Sequence, residues 1–469
     1  MLLGVSVENY KSFDEKAELS FISSSKIQAN KSHRVKIKQT CVLKNAVVYG
    51  ANASGKSNLI KAISFIKKAL LEGLTIDSCL DFCRKEESNA ERESSFELRF
   101  TVGDSFYAYG FSAILKERKV KEEWLYELLQ DGSSKKLFLR EGGDAPSLGE
   151  GVALSPSEKA RFEVYASDFL SRDSSLFLAE MGRGKRYEED SKLLFFKKCF
   201  DWINRGIVLF LPGASPAEND AYYSEESLES VSALIKTFDT GVSEVKTRKI
   251  TLDEMERLVG KEALEKICAE LRRKLSSDPS AKPRMTWRSE KAFFAISLNE
   301  AGEAEARSLV LKHPRSFFDF SFAEESDGTK RLFDLIDMLL DGREDVLFAV
   351  DELERSLHPK LTERFLRLFL EAHASDRCQL LFATHEAASM DQELFRRDEI
   401  WFVERDEEKG SRLYSLDRFK ERYDKRLSKA YLEGRYGAIP IFKSFSFGNI
   451  SSSARGPTRR PSISAGSST

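Results

Sequence analysis

Three hydrophobic patterns follow one another along the chain: alternation of period two, unbroken apolar runs, and longer stretches of helical period. Together they predict a mixed α/β protein. Leu3, Val5 and Val7 alternate with small or polar residues, and residues 19–22 form a second short run, which predicts strands at the start. Ala46, Val47, Val48 and Tyr49 are continuously apolar, as a strand covered on both faces requires. Leu59, Ile63 and Ile66, flanked by Ile60, Ala69 and Leu70, then recur on one helical face. Residues 95–140 return to alternation, broken by turns at Gly103 and Gly132, and predict an antiparallel β-subdomain. A Gly- and Pro-rich break over residues 142–151 closes it.

Residues 157–285 predict helices joined by polar loops, as over 193–203 and 252–275, without the sustained heptads of a coiled-coil arm. Leu332, Leu335, Ile336 and Leu339 predict a helix opening after Ser326, and the apolar runs 346–350 and 379–383 predict two more buried strands. Between those strands Pro359 starts a helix with Leu361, Phe365, Leu368 and Ala372 on one side. Residues 451–469 are rich in Ser, Gly, Pro and Arg, hold no acid and cannot bury enough surface to order themselves. The expected organisation is an N-terminal lobe at 1–150, a mainly helical insertion at 151–305, a C-terminal lobe at 306–450 and a disordered tail at 451–469.

Composition narrows this only a little. The 469 residues are 41% hydrophobic, ample for a core and for two or three domains. Lys plus Arg number 74 against 76 Asp plus Glu, so overall charge gives no argument for a nucleic-acid partner, although the clusters Arg183, Lys185, Arg186 and Arg272, Arg273, Lys274 would suit one. The six cysteines are scattered, and the close pair Cys79 and Cys83 has no second pair or clustered His to complete a zinc site. Free thiols, the lack of a basic leader and the lack of about 18 consecutive apolar residues predict a soluble cytoplasmic protein without a membrane partner.

The chemistry is concentrated where the apolar runs end. After Tyr49 come Gly50, Ala51, Asn52, Ala53, Ser54, Gly55, Lys56, Ser57 and Asn58, a Walker A loop between a strand and a helix. The glycines let main-chain N–H groups and the helix N-terminus close around a polyphosphate. Lys56 supplies a charge at the β- and γ-phosphates and Ser57 a hydroxyl for Mg2+, so ATP and Mg2+ are the expected ligands. The run 346–350 ends in Asp351 and Glu352, the first placed to hold Mg2+ and the second to polarise an attacking water. The run 379–383 ends in Thr384 and His385, where an imidazole can meet the γ-phosphate. Ser326, Gly328 and Thr329 open a helix as a second anion-binding turn. With one P-loop already on the phosphates, that turn makes most sense facing the nucleotide of another subunit.

This set resembles the P-loop ABC-type ATPase heads of the SMC, RecF and OLD group. More narrowly it resembles bacterial AAA-type ATP-binding proteins of abortive-infection and phage-defence systems. The matching residues are Asn9, Tyr10, Lys11, Ser12 and Phe13, the loop from Tyr49 to Asn58, the turn from Asp351 to Pro359, and the late Gly434, Arg435, Tyr436, Gly437, Ala438 and Pro440. The resemblance implies a mixed sheet with flanking helices, an antiparallel β-subdomain and a helical insertion. It also implies head-to-tail pairing into a homodimer or higher oligomer, with Ser326 and Gly328 of one subunit capping ATP held by Lys56 of the other. Ser326, Asp327, Gly328 and Thr329 depart from a transporter signature, and none of the five glutamines suits a Q-loop, so that role stays unassigned. No Toprim arrangement follows His385, which implies a separate effector protein. The function implied is a regulated ATPase switch in antiviral defence, and the alternative is a RecF- or SMC-like DNA-repair ATPase gating DNA.

Overall fold

The computed structural model describes residues 1–170, 172–211, 222–277, 284–289, 292–299, 302–406, 408–419 and 427–439; the tail expected at 451–469 lies outside them. The chain opens with β1 (Leu2–Glu8) and β2 (Ala17–Ser20), then a hairpin of β3 (Arg34–Ile37) and β4 (Thr40–Leu43). β5 (Asn45–Tyr49), buried at every position, runs into helix α1 (Lys56–Glu72). The predicted meander follows as β6 (Ser94–Val102), β7 (Ser105–Ile114), β8 (Lys119–Leu128) and β9 (Ser134–Glu141), with the short β10 (Ser147–Leu148) at its edge. The opening strands complete this sheet: β1 pairs antiparallel with both β6 and β2, giving the seven-stranded order β10-β9-β8-β7-β6-β1-β2.

Residues 151–305 are less uniform than the expected helical insertion. Helices α2 (Pro156–Asp168), α3 (Phe177–Gly182) and α4 (Leu194–Arg205) join the core of the seven-stranded sheet, where Trp202 stacks on Phe100 at 4.5 Å. β11 (Ile207–Phe210) then enters the central sheet. Next come α5 (Glu225–Lys236), β12 (Glu244–Ile250), α6 (Leu252–Val259), α7 (Lys261–Ser277), β13 (Arg284–Arg288), β14 (Phe293–Leu298), β15 (Ala304–Lys312) and β16 (Phe320–Ser321). β12-β15-β14-β13 form a second antiparallel sheet, with β16 pairing β15. The helical period over 252–275 is divided at Gly260, whose φ of 86° ends α6.

The last segment holds α8 (Asp327–Leu339), β17 (Leu347–Val350), α9 (Pro359–Ala372), β18 (Gln379–Ala383), β19 (Ile400–Asp406), β20 (Gly410–Ser415) and α10 (Leu427–Leu432). α8 buries Leu332, Leu335, Ile336 and Leu339 as predicted. α9 is turned from its expected stripe: it buries Thr362, Phe365, Leu366 and Phe369, leaving Ala372 exposed.

The central sheet has the order β11-β17-β18-β5-β19-β20, parallel except for β20. Its strands divide two cores. Ala46 and Val48 of β5, Leu347 and Ala349 of β17, and Leu381 and Ala383 of β18 face the core shared with the seven-stranded sheet. Val47, Tyr49, Phe348, Val350, Leu380 and Phe382 face the other, shared with α8 and α9. The carboxyl ends of β5, β17 and β18 therefore meet on one edge, where open α/β sheets hold ligands. No helix among the described residues is long and apolar enough to cross a membrane.

Candidate functional site

The loop after β5 is shaped by two glycines that admit no side chain. A Cβ on Gly50 would lie 2.4 Å from the Val403 carbonyl oxygen of β19. At Gly55, φ is 113°, and a Cβ would lie 2.4 Å from Ser411 Oγ and 2.6 Å from Ser12 Oγ. The loop is thus clamped between the β19–β20 hairpin and the turn after β1. Ser411 Oγ donates to the Ser54 carbonyl at 2.5 Å, and Asn58 Nδ2 donates to Ser12 Oγ at 2.8 Å. Asn52 and Ala53 are exposed at the tip.

Lys56 curls back on the loop, Nζ donating to the carbonyls of Gly50 at 2.7 Å and Ala51 at 3.0 Å. Burial lowers its pKa from the usual lysine range, against the opposing pull of Glu354, Asp351 and Glu352. Ser57 Oγ donates to Asp351 Oδ1 at 3.0 Å, which joins the two motifs across the adjacent ends of α1 and β17. Burial raises the Asp351 pKa and the charge of Glu352 adds to the rise, while the Ser57 hydrogen bond opposes it. A buried carboxylate facing a hydroxyl suits a hard divalent cation, so the donor set fits Mg2+.

The turn after β17 is held from three sides. Asp351 N–H donates to the Phe210 carbonyl of β11 at 2.9 Å, and the residues after Leu211, at 212–221, fall outside the described ones. Glu352 sits at φ 51°, in the left-handed region that a non-glycine residue seldom adopts, and its carbonyl accepts from Arg331 Nη2 of α8 at 3.1 Å. Glu354 accepts from His385, whose ring stands 56% exposed beyond β18.

Ser326 caps α8 by accepting from Thr329 N–H at 3.1 Å, and the two hydroxyls lie 2.9 Å apart. A Cβ on Gly328 would lie 2.8 Å from the Ser356 carbonyl oxygen, so the signature turn packs on the end of the acidic turn in its own chain. Among the described residues, no hydrogen bond joins Ser326, Gly328 or Thr329 to residues 50–58.

A cleft of about 850 Å³ opens over residues 53–58, and its lining also brings in Lys11, Ser12, Arg84, Lys85, Arg405 and Asp406. Four further cations therefore join Lys56, an arrangement suited to a polyphosphate. Asp14 holds Lys85 in place at 3.3 Å. The sequence marks none of these lining residues as a site; Lys11 and Ser12 fall within the run from Asn9 to Phe13, and the others carry no such signal. The cluster at 183–186 is partly used within the fold: Arg183 donates to the Leu70 carbonyl at the end of α1 at 3.3 Å, and Lys185 pairs with Glu180 at 3.3 Å. Elsewhere His373, Asp376 and Cys378 lie within 4.8 Å of one another, but His373 Nδ1 already meets Asp376 at 2.6 Å and Nε2 the Met338 carbonyl at 2.9 Å.

Among solved structures, an SMC head bound to the C-winged helix domain of ScpA is similar at 12% identity and a TM-score of 0.37, covering 88% of this chain and 97% of that one. The SMC head domain from Thermotoga maritima is similar at 14% identity and a TM-score of 0.32, covering 88% and 98%. No curated protein sequence matches the chain. A family model described as "AAA domain, putative AbiEii toxin, Type IV TA system" matches residues 46–391. That span runs from β5 to beyond β18 and takes in both the Walker A loop and the acidic turn, so the chain belongs to this AAA family of P-loop ATPases.

Proposed function

We propose that the protein is an ATP-binding and hydrolysing switch subunit of a bacterial anti-phage or abortive-infection system, whose heads pair on ATP and control a separate effector such as a nuclease. The observation that carries the reading is the 3.0 Å contact of Ser57 with Asp351 at the carboxyl edge of the central sheet. In this reading the phosphates of ATP lie over the N-terminus of α1, and Lys56 exchanges the carbonyls of Gly50 and Ala51 for phosphate oxygens. Ser57 and Asp351 would hold Mg2+, which neutralises phosphate charge when bound. Glu352 orients the attacking water and accepts its proton, His385 meets the γ-phosphate, and Ser326, Gly328 and Thr329 of a second copy close the site from outside. Catalysis of this kind is positioning plus electrostatics, slow until the second copy arrives. Glu352→Gln tests it: turnover is expected to vanish while ATP-bound dimers accumulate in gel filtration. Unchanged turnover would remove Glu352 from its role.

One surface feature favours a second reading, an ATPase that gates nucleic acid. The β3–β4 hairpin and the loop before it expose Lys26, Lys31, Lys36 and Lys38, and no Asp or Glu occurs between residues 19 and 71. ATP turnover stimulated by DNA, with stimulation falling steeply as salt rises, would favour this reading over the first.

A further inference from the structure

Glu354 is 8% exposed, yet it sits three residues after Asp351 in a turn that would ordinarily leave an acid in solvent. Its Oε1 accepts from the main-chain N–H of His385 at 2.8 Å, and Nδ1 of the same residue stands 2.9 Å from that oxygen. The turn cannot drift away from this pair, because Leu353 N–H donates to the Ala383 carbonyl at 3.3 Å and Leu357 N–H to the Glu354 carbonyl at 2.9 Å. A carboxylate only accepts hydrogen bonds, so its closeness favours the tautomer with the proton on Nδ1. Nε2 is then the ring nitrogen left to other partners, on a side chain 56% exposed after β18, the strand between β17 and β5. Glu354 Oε2 is buried with no hydrogen-bond partner, and Glu354 is the foremost of three acids acting on Lys56. A buried carboxylate oxygen left without a partner is expensive unless the site later supplies one.

We propose that Glu354 is a positioning residue for His385, holding the imidazole in one tautomer and one orientation so that Nε2 addresses the terminal phosphate. The proposal rests on the reading of the cleft as an ATP-hydrolysing site. The bland alternative is that Glu354 only stitches the β17 turn to β18, and the two differ in how its loss combines with loss of the ring.

Full-length Glu354→Ala, Glu354→Gln, His385→Ala and the two double variants are compared in steady-state ATP turnover, in ATP affinity by fluorescent-nucleotide titration and in thermal melting. Loss of a residue that orients a functional histidine costs on the order of tenfold or more in activity. Glu354→Ala is therefore expected to lower kcat about tenfold with ATP affinity changed less than about twofold. Glu354→Gln keeps one acceptor oxygen and should recover part of the loss. On the His385→Ala background either Glu354 substitution should change kcat less than about twofold, since the group it positions is gone. Independent multiplication of the two losses, or a loss in affinity equal to the loss in kcat, would overturn the proposal. If Glu354→Ala melts early, the Glu354→Gln cycle carries the same decision with the side-chain volume preserved. Unaltered turnover in His385→Ala alone would overturn the role of His385 and this proposal with it, while leaving the test on Glu352 standing.

Discussion

Replacing Arg331 by Met should lower turnover without loosening ATP. Arg331 is 13% exposed on α8 and divides its guanidinium, Nη2 donating to the Glu352 carbonyl and Nη1 to Asp334, each at 3.1 Å. Glu352 at φ 51° holds a backbone conformation that costs about 1–3 kcal/mol in a non-glycine residue. A hydrogen bond from a charged donor contributes about 1.5–3 kcal/mol. The two terms are of equal size, so the bond from Arg331 roughly offsets the strain of the turn. Met keeps the apolar stem and removes the donor, which frees the turn to relax and carries the Glu352 carboxylate out of line. At 1.36 kcal/mol per tenfold in rate, losing about 1.5–3 kcal/mol corresponds to a kcat lower by about 13- to 160-fold. Lys56, Ser57 and the loop are untouched, so ATP affinity stays within about twofold. The assay is single-turnover hydrolysis at saturating ATP beside equilibrium titration. Asp334→Asn serves as a control, because it spares the Glu352 bond and should lose far less rate. Wild-type turnover in Arg331→Met, or an Asp334→Asn loss as large as the Arg331 loss, would refute the account.

Two further outcomes follow from groups at the same edge. Burial raises the Asp351 pKa above its unfolded value, so the folded state binds the proton more tightly and stability falls as pH rises from the unfolded pKa through the folded one. Above that window the ionised carboxylate works against the empty fold; Asp351→Asn should melt higher than wild type at neutral pH without nucleotide, and Mg-ATP should then raise its melting temperature far less than it raises that of the wild type. An Asp351→Asn protein that melts lower when empty would show that the Ser57 bond outweighs burial. Ser326 caps α8, and Ala at such a position costs about 0.5–2 kcal/mol where Gly costs a few tenths. Ser326→Gly should therefore melt like the wild type while losing ATP-dependent dimers in a Glu352→Gln background; dimers at wild-type yield would show that the hydroxyl does not reach a partner's nucleotide.

Much of the central sheet was legible because strands buried on both faces leave unbroken apolar runs, and each of β5, β17 and β18 ends in residues with chemistry. β12 and β13 were missed for the opposite reason. Glu244–Ile250 and Arg284–Arg288 carry charged residues through their length, and their apolar positions are too few to declare a period. β11 is four residues long and follows α4 with only Gly206 between them, so its short apolar run reads as the tail of the helical pattern. The cleft wall was hidden because Lys11, Lys85 and Arg405 come from three distant segments, and ordinary surface cations are indistinguishable from them until the chain is folded. Glu354 was missed because an acid following two acids reads as solvated; its burial comes from β18 arriving beside the turn.

The division of the central sheet between two cores bears on how the protein can move. Neighbouring side chains of β5 are gripped by opposite halves of the molecule, Ala46 and Val48 from one side, Val47 and Tyr49 from the other. Sliding that strand by one residue would pull apolar groups from both cores at once, so it behaves as a fixed datum against which everything else is measured. In the proposed switch, nucleotide-driven motion would be expressed by the bodies on either side pivoting about this wall, and a signal originating at the phosphates would reach the two halves of the protein together rather than in sequence.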